Sequence, residues 1–232
     1  MVETIKIDIA VIGSGATGLA AALTAAEGRA KVTLLEKMRR TGGTSSFAEG
    51  MFAVESDMQR QRCIGITRDE AFKMIMDYGH WWADPRLVRA FVDESAATIA
   101  WLQKFGVQFE GPMAMWPDGN RTWHVFKGPR KARASVAIKT LVAKAREMGV
   151  DIRLATEAKK LIKEGDRIRG VIAEREGKTW QVKAKAVIIG TGGYANNKEW
   201  IKKYTGFDLG VNLFPIHNVG KMGDGIRMAW EV

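Results

Sequence analysis

The segment Ile5–Gly18, with the sequence IKIDIAVIGSGATG, carries the clearest indication of the fold. Its first eight residues are mostly β-branched or apolar, which is typical of a buried parallel strand. Its glycines have the spacing Gly-x-Gly-x-x-Gly and lead into Leu19–Glu27, a small-residue stretch that we expect to be helical. Lys31–Leu35 predicts a second strand, and Glu36 follows it directly. Strand, glycine turn, helix, strand and terminal acid together predict one βαβ unit.

The glycine turn and the acid have separate tasks in a dinucleotide site. Gly13 permits the tight turn, Gly15 lets a diphosphate approach the backbone, and Gly18 lets the helix pack on the strand. The free N–H groups at the start of the helix favour an anionic diphosphate. Glu36 is placed to accept hydrogen bonds from ribose hydroxyls, which argues against a cofactor phosphorylated at the ribose 2′ position. A purely structural glycine turn is the alternative, and FAD and NAD are both open at this point.

The remaining chain combines helical stretches with an antiparallel meander. Helices are expected at Thr67–Tyr78, from Asp84 to Gly106, at Ala134–Met148 and near Gly223–Gly225, and Met113–Pro129 reads as a loop. A period of two predicts three antiparallel strands, at Ala158–Lys163, Arg167–Glu174 and Thr179–Ala184. The last strand flows into Ala186–Ile189, which we expect to be buried.

Composition and charge exclude several classes. The 232 residues are 46% apolar and carry a net charge of +10. The basic residues are scattered and not interleaved with aromatic ones, so we expect no nucleic-acid partner. We find no apolar stretch near the ~20 residues of a membrane span and no secretory signal. The single cysteine, Cys63, cannot form an internal disulfide, so we expect a cytoplasmic protein. The three histidines are scattered and lack the spacing of metal ligands, so we expect no metal site.

Four ordered motifs carry a resemblance to a known family. They are the Gly13–Gly18 turn with Glu36, the stretch Gly42–Gly50, Thr191–Gly193 after a strand, and Gly223–Gly225. Together they resemble the flavoprotein subunit family of fumarate reductase and succinate dehydrogenase, which includes ketosteroid dehydrogenases and urocanate reductase-like enzymes. The resemblance covers nearly the whole chain and implies FAD as the cofactor. It implies an α/β fold, a Rossmann-like FAD-binding domain with a central parallel sheet, a three-stranded antiparallel meander and an inserted helical segment, over residues 1–232.

The resemblance also implies the cofactor contacts. Gly43–Ser45 would hold the phosphates and ribityl chain, Ala48 and Gly50 would lie against the isoalloxazine ring, and the backbone of Ala158 would meet the adenine. The residues that it assigns to FAD are Gly13, Ser14, Gly15, Ala16, Thr17, Gly18, Glu36, Lys37, Gly42, Gly43, Thr44, Ser45, Ala48, Glu49, Gly50, Ala158, Thr191, Gly192, Gly193 and Asp224. Arg121 and His124 are candidates for positions near the substrate, with an ordinary loop histidine as the alternative at His124.

The activity that the resemblance implies is hydride transfer between flavin N5 and the carbon–carbon double bond of an enoate-type substrate. In the family, a capping domain and a returning part of the FAD domain follow the Gly-Asp-Gly helix and supply a catalytic arginine, which no residue here matches. We therefore expect an N-terminal portion that is inactive alone. We expect it to self-associate or to pair with a complementary chain, a capping domain or an electron-donor subunit.

Three alternative hypotheses about the chain stay open. The chain could be a catalytically silent FAD- or ADP-binding module, or one part of a split flavoenzyme. It could also be an NAD-dependent reductase. Flavin absorbance of the purified protein separates the flavoprotein readings from the NAD reading, and activity with a reduced dye and an enoate separates an enzyme from a silent module.

Overall fold

The computed structural model describes residues 3–114, 119–216 and 219–232. The chain forms two compact units, one made of the chain up to Phe47 together with Leu141–Val232, and the other of Ala48–Thr140. Within the described ranges the strands and α-helices are, in chain order, β1 (Glu3–Ile12), α1 (Ala16–Glu27), β2 (Val32–Leu35), β3 (Gly50–Phe52), α2 (Asp57–Arg60), α3 (Arg68–Tyr78), α4 (Pro85–Asp93), α5 (Ser95–Lys104), β4 (Phe109–Met113), β5 (Trp123–Phe126), α6 (Arg133–Glu147), β6 (Asp151–Arg153), β7 (Glu157–Glu164), β8 (Arg167–Arg175), β9 (Lys178–Ile189), α7 (Lys198–Thr205) and α8 (Asp224–Trp230).

The first unit contains the predicted βαβ unit and the predicted meander in one sheet. Its described strands have the order β6-β2-β1-β9-β8-β7. β1 pairs in parallel with β2 and with β9, and β2 pairs in parallel with β6. β7, β8 and β9 pair in antiparallel fashion. The predicted fold class, with a parallel sheet joined to a three-stranded meander, is therefore confirmed, and β9 is the strand that belongs to both parts.

The core of the first unit lies where the sheet meets α8. Its buried members are Ala10, Ile12, Leu35, Ala158, Leu161, Val171, Ala173, Val182, Ala184 and Met228. The expected burial of Ala186–Ile189 is wrong, since Ala186 is exposed and Ile189 keeps 36% of its surface accessible. Val187, Ile188 and Ile189 are β-branched, which suits the parallel ladder with β1, and pairing in that ladder does not require that both faces of the strand be covered.

The second unit contains a small sheet that the sequence did not predict. β5 pairs with β3 and with β4, both antiparallel. The expectation of a loop over Met113–Pro129 is therefore wrong at Trp123–Phe126, and residues 115–118 of that stretch lie outside the described ranges. Gly50 permits the pairing, since a Cβ there would come within 2.4 Å of the carbonyl oxygen of His124. Strands joined by distant partners carry little local signal, which explains the error.

The helices of both units differ from the expectation at two places. The helix expected from Asp84 to Gly106 is two helices, because Glu94 ends α4 and begins α5. Ser95 marks the break, and its hydroxyl donates to the carbonyl of Val92 at 2.7 Å. α7 was not predicted; Asn197 caps it by accepting from the N–H of Trp200, and the left-handed Gly206 ends it. Among the described residues, we find no helix with the length and apolar character needed to cross a membrane.

Candidate functional site

The glycine turn joins β1 to α1 and leaves the start of that helix available to a ligand. Gly13 adopts φ +97° and donates its N–H to the carbonyl of Leu35 at 2.8 Å. Gly15 is the N-cap residue of α1 and provides no side-chain cap. The hydroxyl of Ser45 accepts from the N–H of Ala16 at 3.0 Å. The positive end of the helix dipole therefore lies at the turn, as a diphosphate site requires.

The three glycines of the turn are needed for different reasons. A Cβ at Gly18 would lie 1.8 Å from the carbonyl oxygen of Gly13, and a Cβ at Gly13 would lie 2.5 Å from that of Gly190. These two glycines are therefore required by the packing of the protein itself. Gly15 has φ −68°, and the atom nearest to a Cβ there is Ser45 Oγ at 3.6 Å. The space in front of Gly15 is thus open to a ligand, and the turn passes this test of fit for the diphosphate of FAD.

A buried carboxylate stands beside the turn. Glu36 is only 7% exposed and follows β2 directly. Its Oε2 accepts from the N–H of Ser14 at 2.9 Å and from the Ser14 hydroxyl at 2.6 Å, and its Oε1 accepts from the N–H of Met38 at 2.8 Å. A carboxylate has about four lone-pair directions, so these three donors leave one for a ribose hydroxyl.

A small cleft opens next to Glu36. Its described lining residues are Ile12, Gly13, Leu35, Glu36, Lys37, Thr156, Glu157, Ala158, Thr191, Asp224 and Met228. The structure therefore brings together Ala158, Lys37, Thr191 and Asp224, which the family resemblance placed at the cofactor. Thr156 and Glu157 also line the cleft and were not predicted. Their position directly before Ala158 was the sequence signal that could have identified them.

The charges of the cleft favour hydroxyl groups over a further phosphate. Among the described lining residues, three carboxylates, those of Glu36, Glu157 and Asp224, stand against the single ammonium of Lys37. Lys37 Nζ is already paired with Asp224 Oδ2 at 2.5 Å. Like charges at close range repel, so a phosphate on the ribose would be disfavoured there. This fits the unphosphorylated adenosine ribose of FAD.

The segment Gly42–Ser45 lies against the glycine turn. The N–H of Gly42 donates to the carbonyl of Ser14 at 3.0 Å, and Gly42 has φ +102°. A 3₁₀ helix then runs from Gly43 to Phe47. The hydroxyl of Thr44 accepts from the N–H of Val219 at 3.2 Å. The structure thus places this segment where its backbone and hydroxyls can reach a diphosphate bound at α1.

The two later motifs meet at the same edge of the sheet. Thr191–Gly193 follows β9, and the carbonyl of Gly193 accepts from the N–H of Gly223 at 3.2 Å. A Cβ at Gly225 would lie 2.3 Å from Thr191 Oγ1, so the first turn of α8 rests directly on the end of β9. Gly192 is left-handed, with φ +73°. Both motifs therefore border the cleft, which Thr191 and Asp224 line.

The residues expected at the isoalloxazine ring belong to the second unit. Ala48 and Glu49 are exposed, and Gly50 is buried at the start of β3. The carbonyl of Glu49 accepts from the N–H of Phe126 at 3.0 Å. The pairing of β3 with β5 already requires a glycine at position 50, so the absence of a side chain there does not by itself indicate a ligand.

His124 is held inside the second unit. It is 0% exposed, its Nε2 lies 2.7 Å from the hydroxyl of Ser56, and its Nδ1 lies 3.1 Å from the carbonyl oxygen of Thr122. Because a carbonyl only accepts, Nδ1 carries the proton and Nε2 accepts from Ser56. Burial lowers the pKa of His124 below its ordinary value. The geometry therefore favours a structural role for His124 over contact with substrate.

Arg121, the other candidate near the substrate, is exposed. Its carbonyl oxygen accepts from the side-chain amide of Gln59 at 2.9 Å. Within the described ranges, no three histidine, cysteine, aspartate or glutamate side chains group closely enough to hold a metal ion.

Comparison with known proteins identifies the family. A family model described as an FAD binding domain matches residues 8–232. Vinyl phenol reductase of Lactiplantibacillus plantarum is 40% identical over 227 residues, which are 97% of this chain and 45% of that protein. NADH:fumarate oxidoreductase of Klebsiella pneumoniae is 30% identical over 225 residues, covering 95% of this chain and 24% of that protein.

A solved structure shows the same fold. The open conformation of a flavocytochrome c3 fumarate reductase matches 99% of this chain and 40% of its own, with a TM-score of 0.86 and 28% identity. The chain spans less than half the length of each of these relatives. Because the family model matches almost all of it, the chain belongs to the FAD binding domain family and is homologous to flavoenzymes of the fumarate reductase type.

Proposed function

We propose that this chain is the FAD-binding portion of a reductase that saturates a carbon–carbon double bond. The observation that carries the proposal is the buried carboxylate of Glu36, held by Ser14 beside a helix start where Gly15 leaves room for a diphosphate. The reaction class is supported by the likeness to a vinyl phenol reductase and to an NADH:fumarate oxidoreductase. FAD, when bound, supplies the hydride at its N5 atom.

We assign the chain's own residues to binding and orienting the cofactor. The turn from Gly13 to Gly18 binds the diphosphate, together with the segment Gly42–Ser45. Glu36, Lys37 and Asp224 surround the adenosine ribose, with Ala158 at the adenine. Thr191–Gly193 closes the same edge of the cleft. Ala48, Glu49 and Gly50 are assigned to the isoalloxazine ring on the family resemblance alone.

The remaining parts of the reaction are proposals of the same kind. The substrate is an alkene conjugated to an electron-withdrawing or aromatic group, and residues 1–232 are the FAD-binding portion. A capping segment, a complementary chain or an electron-donor subunit completes the site. We propose the cytoplasm as the compartment, because a chain with one cysteine, Cys63, forms no internal disulfide.

Turnover of alkenes tests the proposal. The full gene product, together with any partner chain that co-purifies with it, is loaded with FAD and mixed with chemically reduced viologen and with fumarate, urocanate or 4-vinylphenol, and oxidation of the dye is followed. Residues 1–232 assayed alone are the control, and we expect them to be inactive. We expect saturable, alkene-dependent oxidation with at least one of them, and its loss in a Glu36→Gln variant assayed at limiting FAD. If the FAD-loaded gene product oxidises viologen with none of the alkenes, the reductase assignment is wrong and a silent FAD-binding module remains.

A further inference from the structure

Trp200 contacts both ends of helix α8. A Cβ at Gly223, the residue before α8, would come within 2.5 Å of Trp200 Cζ3. The ring of Trp230, the last residue of α8, stacks on that of Trp200, with centroids 5.2 Å apart and planes at 28°. Gly223 and Trp230 are about two helical turns apart and so share one face of α8. Trp200 therefore meets α8 at both ends, in addition to the packing of Gly225 on Thr191 and of Met228 in the core.

The rotation of α8 decides where Asp224 lies. Each residue turns a helix by about 100°, so Asp224 faces a different side from Gly223. There its Oδ2 lies 2.5 Å from Nζ of Lys37, and both side chains line the cleft beside Glu36. If α8 rotated, the carboxylate of Asp224 would move away from Lys37 and that wall of the cleft would change.

The segment that carries Trp200 is itself tied to the turn before α8. The N–H of Asn196 donates to the carbonyl of Lys221 at 2.9 Å, and the side-chain oxygen of Asn196 accepts from the N–H of Lys221 at 3.1 Å. The side-chain amide of Asn197 donates to the carbonyl of Met222 at 2.9 Å, and its oxygen accepts from the N–H of Trp200. Trp200 is thus anchored to the same turn that it covers.

We propose that Trp200 is a positioning residue of the FAD site, acting through Gly223 on Asp224. Trp200 does not line the cleft, which other described residues enclose. Its ring holds α8 in the rotation that pairs Asp224 with Lys37, and so raises the affinity of the cleft for FAD. The inference rests on the assignment of FAD to this cleft and is independent of the substrate.

A double-mutant cycle in FAD affinity tests this role. Trp200→Leu, Asp224→Asn and the double variant are compared with the parent chain by titrating apoprotein with FAD, and melting temperatures are recorded in parallel. We expect each single variant to bind FAD about tenfold more weakly. The double variant should bind no more weakly than Asp224→Asn alone, because the effect of Trp200 passes through Asp224. If Trp200→Leu only destabilised the chain, its melting temperature would fall, but its effect on FAD affinity would not depend on Asp224.

Tyr204→Leu is the matched control. Tyr204 lies on the same helix and its ring meets both Trp200 and Trp230 edge-on, but the atoms nearest to a Cβ at Gly223 all belong to Trp200. We expect its replacement to leave FAD affinity unchanged. If Trp200→Leu does not fold, Trp230→Leu removes the stacking partner while Trp200 stays on Gly223, and should show a smaller weakening with the same dependence on Asp224.

Three outcomes would overturn the proposal or its basis. Parent-like affinity of Trp200→Leu would remove any role for Trp200 in the site. Additive effects of Trp200→Leu and Asp224→Asn would show that Trp200 does not act through Asp224. A parent chain that binds no FAD would overturn the cofactor assignment itself. Absence of alkene turnover, by contrast, would leave the inference standing.

Discussion

Ser14 donates two hydrogen bonds to the carboxylate of Glu36, from its main-chain N–H at 2.9 Å and from its hydroxyl at 2.6 Å. Ser14 lies inside the glycine turn and Glu36 lies beyond the end of β2, so the pair joins the turn that we propose for the diphosphate to the acid that we propose for the ribose. A carboxylate fixed in this way would meet a ribose hydroxyl without further ordering, which favours binding. The two hydrogen bonds thus allow the turn and the acid to act as one site.

Replacing Glu36 by glutamine should weaken FAD binding while the chain stays folded. Glutamine keeps the shape and one acceptor oxygen but loses the charge. Hydrogen bonds to a charged group contribute about 1.5–3 kcal/mol, so we expect a loss of roughly ten- to a hundredfold in affinity. Titration calorimetry measures it, with the exposed Glu164→Gln as the control. Unchanged affinity in Glu36→Gln would mean that the carboxylate does not meet the cofactor.

Two glycine-to-alanine variants should separate folding from binding. Gly18→Ala drives a Cβ to 1.8 Å from the Gly13 carbonyl, so we expect a loss of stability of about 1–3 kcal/mol or more. Gly15→Ala meets no atom closer than 3.6 Å and should melt like the parent, yet lose FAD. Thermal melts and FAD titrations of both variants check this. A Gly15→Ala chain that retains FAD would show that the diphosphate does not approach there.

The cleft should distinguish adenine nucleotides by their ribose phosphates. ADP carries a free 2′ hydroxyl and should compete with FAD. Adenosine 2′,5′-diphosphate would bring a phosphate against Glu36, Glu157 and Asp224, and should compete far less well. Displacement of bound FAD, followed by the recovery of flavin fluorescence, compares the two nucleotides. Equal competition would place the ribose away from these carboxylates.

The stability of the second unit should depend on pH through His124. Burial lowers the pKa of His124 from its ordinary value of 6.5, and unfolding restores that value. Between the two pKa values the unfolded chain binds more protons, so the stabilising contribution is complete above about pH 6.5 and is lost as pH falls towards the folded pKa. Urea titrations from about pH 8 to pH 5 measure the decline.

Two histidine substitutions test whether the pH dependence of stability comes from His124. His124→Asn removes the titrating ring but keeps a side-chain donor for the carbonyl of Thr122, so its unfolding free energy should be lower and vary less with pH. His80→Gln alters an exposed histidine and should keep the parent profile. A His124→Asn chain with the full pH dependence of the parent would assign the effect to other groups.

The parts of the site that the sequence revealed are those with a local cause. Gly13, Gly18 and Glu36 stand at positions where a strand, a turn and a helix join, and each has a steric or hydrogen-bonding reason visible within one βαβ unit. The meander was also predictable, because alternating apolar residues and glycine turns are local signals. The contacts of Ala158 and Asp224 came only from the family resemblance, since they reach the cleft from distant parts of the chain.

The errors concern features that depend on distant partners. β5 lies in a stretch rich in glycine, proline and tryptophan, and becomes a strand only because β3 and β4 flank it. His124 lies on β5, so its burial and its hydrogen bond to Ser56 could not be predicted from the sequence either. The contact of Trp200 with Gly223 could not be predicted, because Trp200 lies on α7, a helix that the sequence analysis missed. The capping residue Asn197 was an available signal for that helix.

Titration of the apoprotein with FAD is the decisive measurement of whether this chain holds the cofactor. We predict saturable binding of one FAD per chain, a resolved flavin absorbance band, competition by ADP, and a clear weakening in the Glu36→Gln variant. A correctly folded chain that binds no FAD, or one that binds NAD in its place with the same dependence on Glu36, would contradict this prediction.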